Sequence, residues 1–74
     1  MDLKQCLKNL KHDVNNGGLT EDTSAVIWYI GMANNARRLL KSRTSDQQTA
    51  EDAKEYLTLC CSSGSDSLRC AAES

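Results

Sequence analysis

A chain of 74 residues with a formal net charge of −1 has room for one domain, in which folding removes only roughly 60% of the surface that the unfolded chain exposes. The near-neutral charge argues against a protein that coats a polyanion, and no apolar run approaches the ~20 residues of a membrane helix. A core this thin rarely supplies more than ~3–5 kcal/mol, so disulfides, a metal, very regular helix packing or self-association are the expected supplements.

From the first residues onward the pattern is helical. Leu3, Cys6, Leu7, Leu10 and Val14 recur as one stripe, with Lys4, Lys8, Lys11 and Asp13 elsewhere on the wheel, which predicts an amphipathic helix over 2–15. Asn15-Asn16-Gly17-Gly18 ends it, because these residues tolerate the left-handed backbone of helix ends and turns. Thr20 is placed to cap the next helix, and Glu21 and Asp22 put negative charge where a helix N-terminus favours it.

The second predicted helix, 20–43, is the long one. The chain has no proline to interrupt it, and about 22 residues would span ~33 Å. Tyr29, Met32 or Ala33, Ala36, and Leu39 or Leu40 form its packing seam, widened by Val26, Ile27, Trp28 and Ile30. Adjacent helical residues diverge by about 100°, so Trp28 and Tyr29 cannot both face the interior; Tyr29 is expected inward and Trp28 outward. Gly31 costs up to ~1 kcal/mol relative to alanine, which points to close approach of a neighbouring helix or to simple tolerance. Arg37, Arg38, Lys41 and Arg43 close the helix with positive charge, as its dipole prefers.

Ser45-Asp46-Gln47-Gln48 fits a capping box with Ser45 as the cap, and predicts a third helix over 46–62. Its apolar face reads Ala50, Ala53, Leu57, Cys60 and Cys61, with Glu51, Asp52, Lys54 and Glu55 outside it. The acidic residues suit a contact with the basic first helix or with the basic end of the second. Ser62-Ser63-Gly64-Ser65 ends the helix, and the tail 65–74, with Leu68, Ala71 and Ala72, has the makings of a short fourth helix that depends on docking.

No residue pattern announces chemistry. Cys6, Cys60, Cys61 and Cys70 are read as reduced thiols of a cytoplasmic protein, because no N-terminal apolar segment resembles a secretory signal and neighbouring Cys60 and Cys61 are badly placed to bridge each other. Adjacent helical cysteines diverge too far to act as paired zinc ligands. His12 is the single histidine and lies off the apolar stripe, so a cysteine nucleophile lacks an evident base. Gly17-Gly18 has neither the spacing nor the lysine of a phosphate loop. No catalytic residue, metal or cofactor is expected.

The sequence therefore predicts an all-α fold, a small three-helix bundle around a long central helix, with a single domain over 1–74. Excess apolar surface makes homodimerisation the simplest cover. The expected function is a non-enzymatic protein–protein interaction module of adaptor or inhibitor type, comparable in size to the small inhibitors that phages and plasmids carry, acting on a larger partner. Ile27, Trp28 and Gly31, with Glu51 and Glu55, are the expected partner-binding residues. The alternative is a small nucleic-acid-associated regulator using Arg37, Arg38, Lys41 and Arg43. Against it, the acidic and then apolar start of the second helix would repel DNA where a recognition helix needs contact.

Overall fold

Among the described residues these patterns build four helices: α1 (Leu3–Asn15), α2 (Ser24–Lys41), α3 (Gln47–Cys61) and α4 (Asp66–Glu73). The computed structural model describes residues 2–17, 24–42 and 46–73. The expected cap at Thr20, the acidic first turn at Glu21 and Asp22, the turn residue Gly18, the capping-box serine Ser45 and the cation Arg43 lie outside the described residues.

Helix α1 begins where the Asp2 carboxylate accepts from the Gln5 backbone N–H at 2.9 Å, satisfying one of the amides that a helix start leaves unpaired. It ends at Asn16, whose backbone N–H donates to the carbonyls of His12 and Asp13, and Gly17 follows with φ +110°. Only glycine adopts that backbone without strain. Cys6, Leu7 and Leu10 are buried and Leu3 and Val14 partly so, as the stripe predicts.

Helix α3 is capped one residue later than the capping box implies. The Asp46 carboxylate accepts from the Thr49 N–H at 2.7 Å, and hydrogen bonds from Thr49 hold its carboxyl below the usual range. The Gln48 side chain donates forward to the Asp52 carboxylate at 3.1 Å. The buried face is also rotated from the expected one. Tyr56 is fully enclosed beside Ala53 and Cys60, Asp52 is buried, and Cys61 is exposed. Tyr56 can take this place because its hydroxyl donates to the Tyr29 carbonyl at 2.9 Å, so a large apolar ring is buried without stranding its polar tip.

The tail is a fourth helix. Gly64 turns the chain at φ +87°; the Ser63 hydroxyl donates to the Cys60 carbonyl at 2.8 Å, and the Ser65 hydroxyl accepts from the Leu68 N–H at 3.4 Å as the cap of α4. Leu68 is completely buried, which docks a helix too short to persist alone. The Arg37 guanidinium donates to the Ala71 carbonyl at 3.2 Å, tying the end of α4 to α2.

All four helices contribute to one core, in which Tyr29, Ala33 and Ala36 of α2 face Tyr56 and Cys60 of α3. Helix α3 touches each of the other three, whereas α1 and α2 meet only slightly. The radius of gyration, 11.4 Å, is what a close-packed chain of this length has, about 11 Å. No helix among the described residues is long and apolar enough to cross a membrane.

Candidate protein-interaction surface

The slight contact between α1 and α2 leaves a groove. Cys6 of α1 and Ile27, Trp28, Gly31, Met32 and Asn35 of α2 line an open, mainly apolar recess of about 390 Å³. The α2 residues share a helix face because they recur at intervals of about one and two turns. Tyr29 is buried and Trp28 is 68% exposed, beside Ile27 at 72%. They are the large hydrophobic side chains left in the open among the described residues.

Tyr29 fixes the rotation of α2 that leaves its neighbour outside. Its hydroxyl donates to the Asp13 carboxylate of α1 at 2.5 Å, while its own carbonyl receives the Tyr56 hydroxyl. Burial, followed by this bond to Asp13, pushes the Tyr29 phenol well above the usual tyrosine range. With Tyr29, Ala33 and Ala36 held in the core, Trp28 is turned about 100° away from Tyr29.

Gly31 does not mark a helix contact within the molecule. It is exposed, and a methyl group at its α-carbon would meet nothing within 4 Å. The close approach that its sequence context suggested is therefore absent among the described residues. The physical reason is the same rotation: Ala33 and Ala36 are the small residues turned toward neighbouring helices.

The two expected acidic contributors stand apart from this groove, on α3. Glu55 pairs with Lys11 of α1 at 3.0 Å, both side chains about half exposed, and Glu51 accepts from the Gln47 side chain at 3.4 Å. The Lys11–Glu55 pair realises the opposed charge of the first and third helices, and such exposed pairs contribute under ~1 kcal/mol.

The basic cluster forms a second, smaller recess of about 260 Å³ lined by Asn34, Arg37, Arg38 and Lys41. Arg37 is half committed to structure through Ala71 and Asn34; Arg38 and Lys41 are exposed. Sequence reasoning found the cations of this recess, Arg37, Arg38 and Lys41. It did not find Cys6, Met32 or Asn35 as groove residues; the spacing of 27, 31 and 35 signals a shared face for Asn35, but nothing in the sequence brings Cys6 of α1 to it.

Cys6 and Cys60 are buried, whereas Cys61 and Cys70 are exposed. Burial pushes the Cys60 thiol up to about 12 and moves Cys6 in the same direction, opposite to what a nucleophilic thiolate needs. His12 is exposed and lies beside the side chain of Asn16 at 3.2–3.3 Å. No three His, Cys, Asp or Glu side chains converge as a metal cage would require among the described residues, and no disulfide joins the cysteines. No protein-family model, curated protein or solved structure matches this chain.

Proposed function

We propose that this chain is a non-enzymatic protein–protein interaction module of adaptor or inhibitor type, working in the cytoplasm by presenting the outer face of α2 to a larger protein partner or to another copy. The observation that carries this reading is the pair of exposed side chains Ile27 and Trp28 beside the apolar groove floored in part by Cys6 and Met32. Large aromatic side chains anchor interfaces because they remove much apolar area from water at little cost in rotamer freedom. A small domain that leaves its one tryptophan outside the core forgoes stabilisation it needs; contact with a partner supplies the missing burial.

Capture of partners from the native host, with identification by mass spectrometry, tests the reading when wild type is compared with Trp28→Ala and with the double charge reversal Glu51→Lys and Glu55→Lys. Loss of the same partner from the Trp28→Ala capture, with helical circular dichroism unchanged, is the expected result. Because Glu55 already pairs with Lys11, the charge reversal is expected to weaken capture less. Retention of that partner by Trp28→Ala sinks the assignment of this face.

A second reading, association with nucleic acid, is favoured by the recess that gathers Asn34, Arg37, Arg38 and Lys41. It predicts binding of duplex or single strands that falls steeply with added salt and is lost in the Arg37→Ala, Arg38→Ala double variant. Absence of any fluorescence-anisotropy change at low salt eliminates it.

A further inference from the structure

We infer that the basic recess at the C-terminal end of α2 is a binding site for a single phosphoryl group, the dianionic end of a phosphate monoester. The site owes nothing to Trp28 and its groove, and it calls for a different ligand from the nucleic acid considered above for the same cations. Asn34, Arg37, Arg38 and Lys41 line a recess of about 260 Å³, and their spacing puts them on one helix face over ~10 Å. Helix α2 contains no carboxylate. The ion pairs among the described residues, Lys11–Glu55 and Asp66–Arg69, engage other groups. The recess therefore gathers the positive charges of Arg37, Arg38 and Lys41 with no counter-charge from the described residues.

Helix-end electrostatics accounts for only part of this charge. The C-terminal pole of a helix is equivalent to about −0.5 of an elementary charge, so one cation answers it and the remainder are in excess. Arg37 is also held by more than its own helix. Its Nη1 donates to the Ala71 carbonyl of α4 and to Oδ1 of Asn34, each at 3.2 Å, which fixes a half-buried guanidinium at the recess and leaves Nε and Nη2 as its remaining donors. The Asn34 oxygen is spent on that bond, so the amide NH2 is the end that Asn34 offers to a ligand. Arg38 and Lys41 are exposed and supply the other cations. Every side chain that lines the recess is then a donor, which suits an oxyanion.

Size and layout select the ligand. The recess is below the ~300–1,000 Å³ of pockets that enclose a whole small molecule, so it takes one group and leaves the rest of the ligand outside. A carboxylate would answer one of the positive charges. A phosphate monoester carries about −1.5 to −2 at pH 7 and three acceptor oxygens, one for each cation. A nucleic-acid strand instead offers single charges spread along its length and is held by cations spread to match. Here the cations stop at the recess, and the exposed residues of α2 nearer its start, Gly31, Trp28 and Ile27, are uncharged. A net charge of −1 adds no further attraction for a polyanion.

Backbone and side-chain NMR shifts of the isotope-labelled full chain, followed as inorganic phosphate or a capped phosphoserine tripeptide is added at constant ionic strength and about pH 7.5, where both probes are largely dianionic, test the site. The expected result is saturable movement centred on Asn34, Arg37, Arg38 and Lys41, with a dissociation constant of about 1–10 mM for inorganic phosphate. Tighter binding of the phosphoserine peptide places the phosphoryl group on a partner chain; equal binding places it on a free phosphate. The double variant Arg38→Gln, Lys41→Gln should weaken either probe about 10-fold or more. Arg37→Lys, which keeps the charge and loses the fork that anchors it, should weaken it about 3-fold or more. Lys54→Gln, at an exposed position on α3, should leave binding unchanged, with helical circular dichroism retained in every variant. Unsaturated linear shifts up to about 100 mM, shifts spread equally over the exposed Lys4, Lys8 and Lys54, an unaltered constant in the double variant, or an oligothymidine that binds more tightly than the phosphoserine peptide overturns the site. Trp28→Ala should bind phosphate as the wild type does whether or not it loses a larger partner, so this site and the interaction reading fail separately.

Discussion

Tyr56 and Cys60 show how single polar atoms are reconciled with a thin core. The Tyr56 hydroxyl is buried and bonded to the Tyr29 carbonyl, so Tyr56→Phe removes a net-stabilising bond while leaving the ring's packing in place. Its expected cost is about 1 kcal/mol in urea denaturation. Among the thiols, burial separates Cys6 and Cys60 from Cys61 and Cys70. An aromatic disulfide reagent at neutral pH should titrate two thiols quickly and the other two only on unfolding. The raised Cys60 thiol also sets an alkaline limit. Its folded value, about 12, lies above the ordinary 9.0, so at high pH the native state keeps a proton that the unfolded state has released. That contribution is complete below about pH 9 and is lost as the pH rises toward 12; Tyr29 and Tyr56 are raised in the same direction. Chemical denaturation at stepwise higher pH is expected to show a falling midpoint above about pH 9; a flat profile would contradict the burial of these groups.

Helix α4 is the element whose existence depends most on its surroundings. Eight residues do not sustain a helix in water, and here they are held by the buried Leu68, by the Ser65 cap and by the Arg37 bond to the Ala71 carbonyl. Leu68→Ala should cost about 3 kcal/mol and release α4 from the core. Arg37→Ala removes a single partly exposed bond and should cost ~1 kcal/mol or less, while speeding amide exchange in α4 and leaving α3 protected. Equal protection loss in α3 and α4 would show that the two helices open together. The sequence made the presence of the first three helices plain through their apolar spacing. It was less informative about rotation: in α3 the spacing of Ala50, Ala53, Leu57 and Cys61 hid the better solution around Tyr56, because the Tyr29 carbonyl that makes the tyrosine burial tolerable lies 27 residues away.

For the whole molecule the notable balance lies between what is enclosed and what is left on α2. Four helices enclose a core rich in small side chains, Ala33, Ala36 and Ala53 among them, while Ile27 and Trp28 remain outside. Trp28→Ser should therefore change the unfolding free energy of the dilute chain by less than ~0.5 kcal/mol, a result opposite to that of truncating a buried aromatic, where 3–5 kcal/mol is typical. Thermal and urea denaturation measure this. A large loss of stability would mean that Trp28 supports the fold and not a contact.

Apolar periodicity made the helical class, the three main elements and the inward turn of Tyr29 with the outward turn of Trp28 readable before any coordinates, because each follows from the 100° step between successive helical residues. The candidate anchor was legible for that reason. The groove beside it was not: it exists because α1 rests mainly on α3 and barely meets α2, an outcome of how helices share one core that no local pattern encodes. The same long-range packing assigned Glu55 to Lys11, gave Arg37 to the end of α4 and left Gly31 facing outward. Local spacing sets which residues lie on a common face, whereas the competition among helices for limited buried area sets which faces are covered.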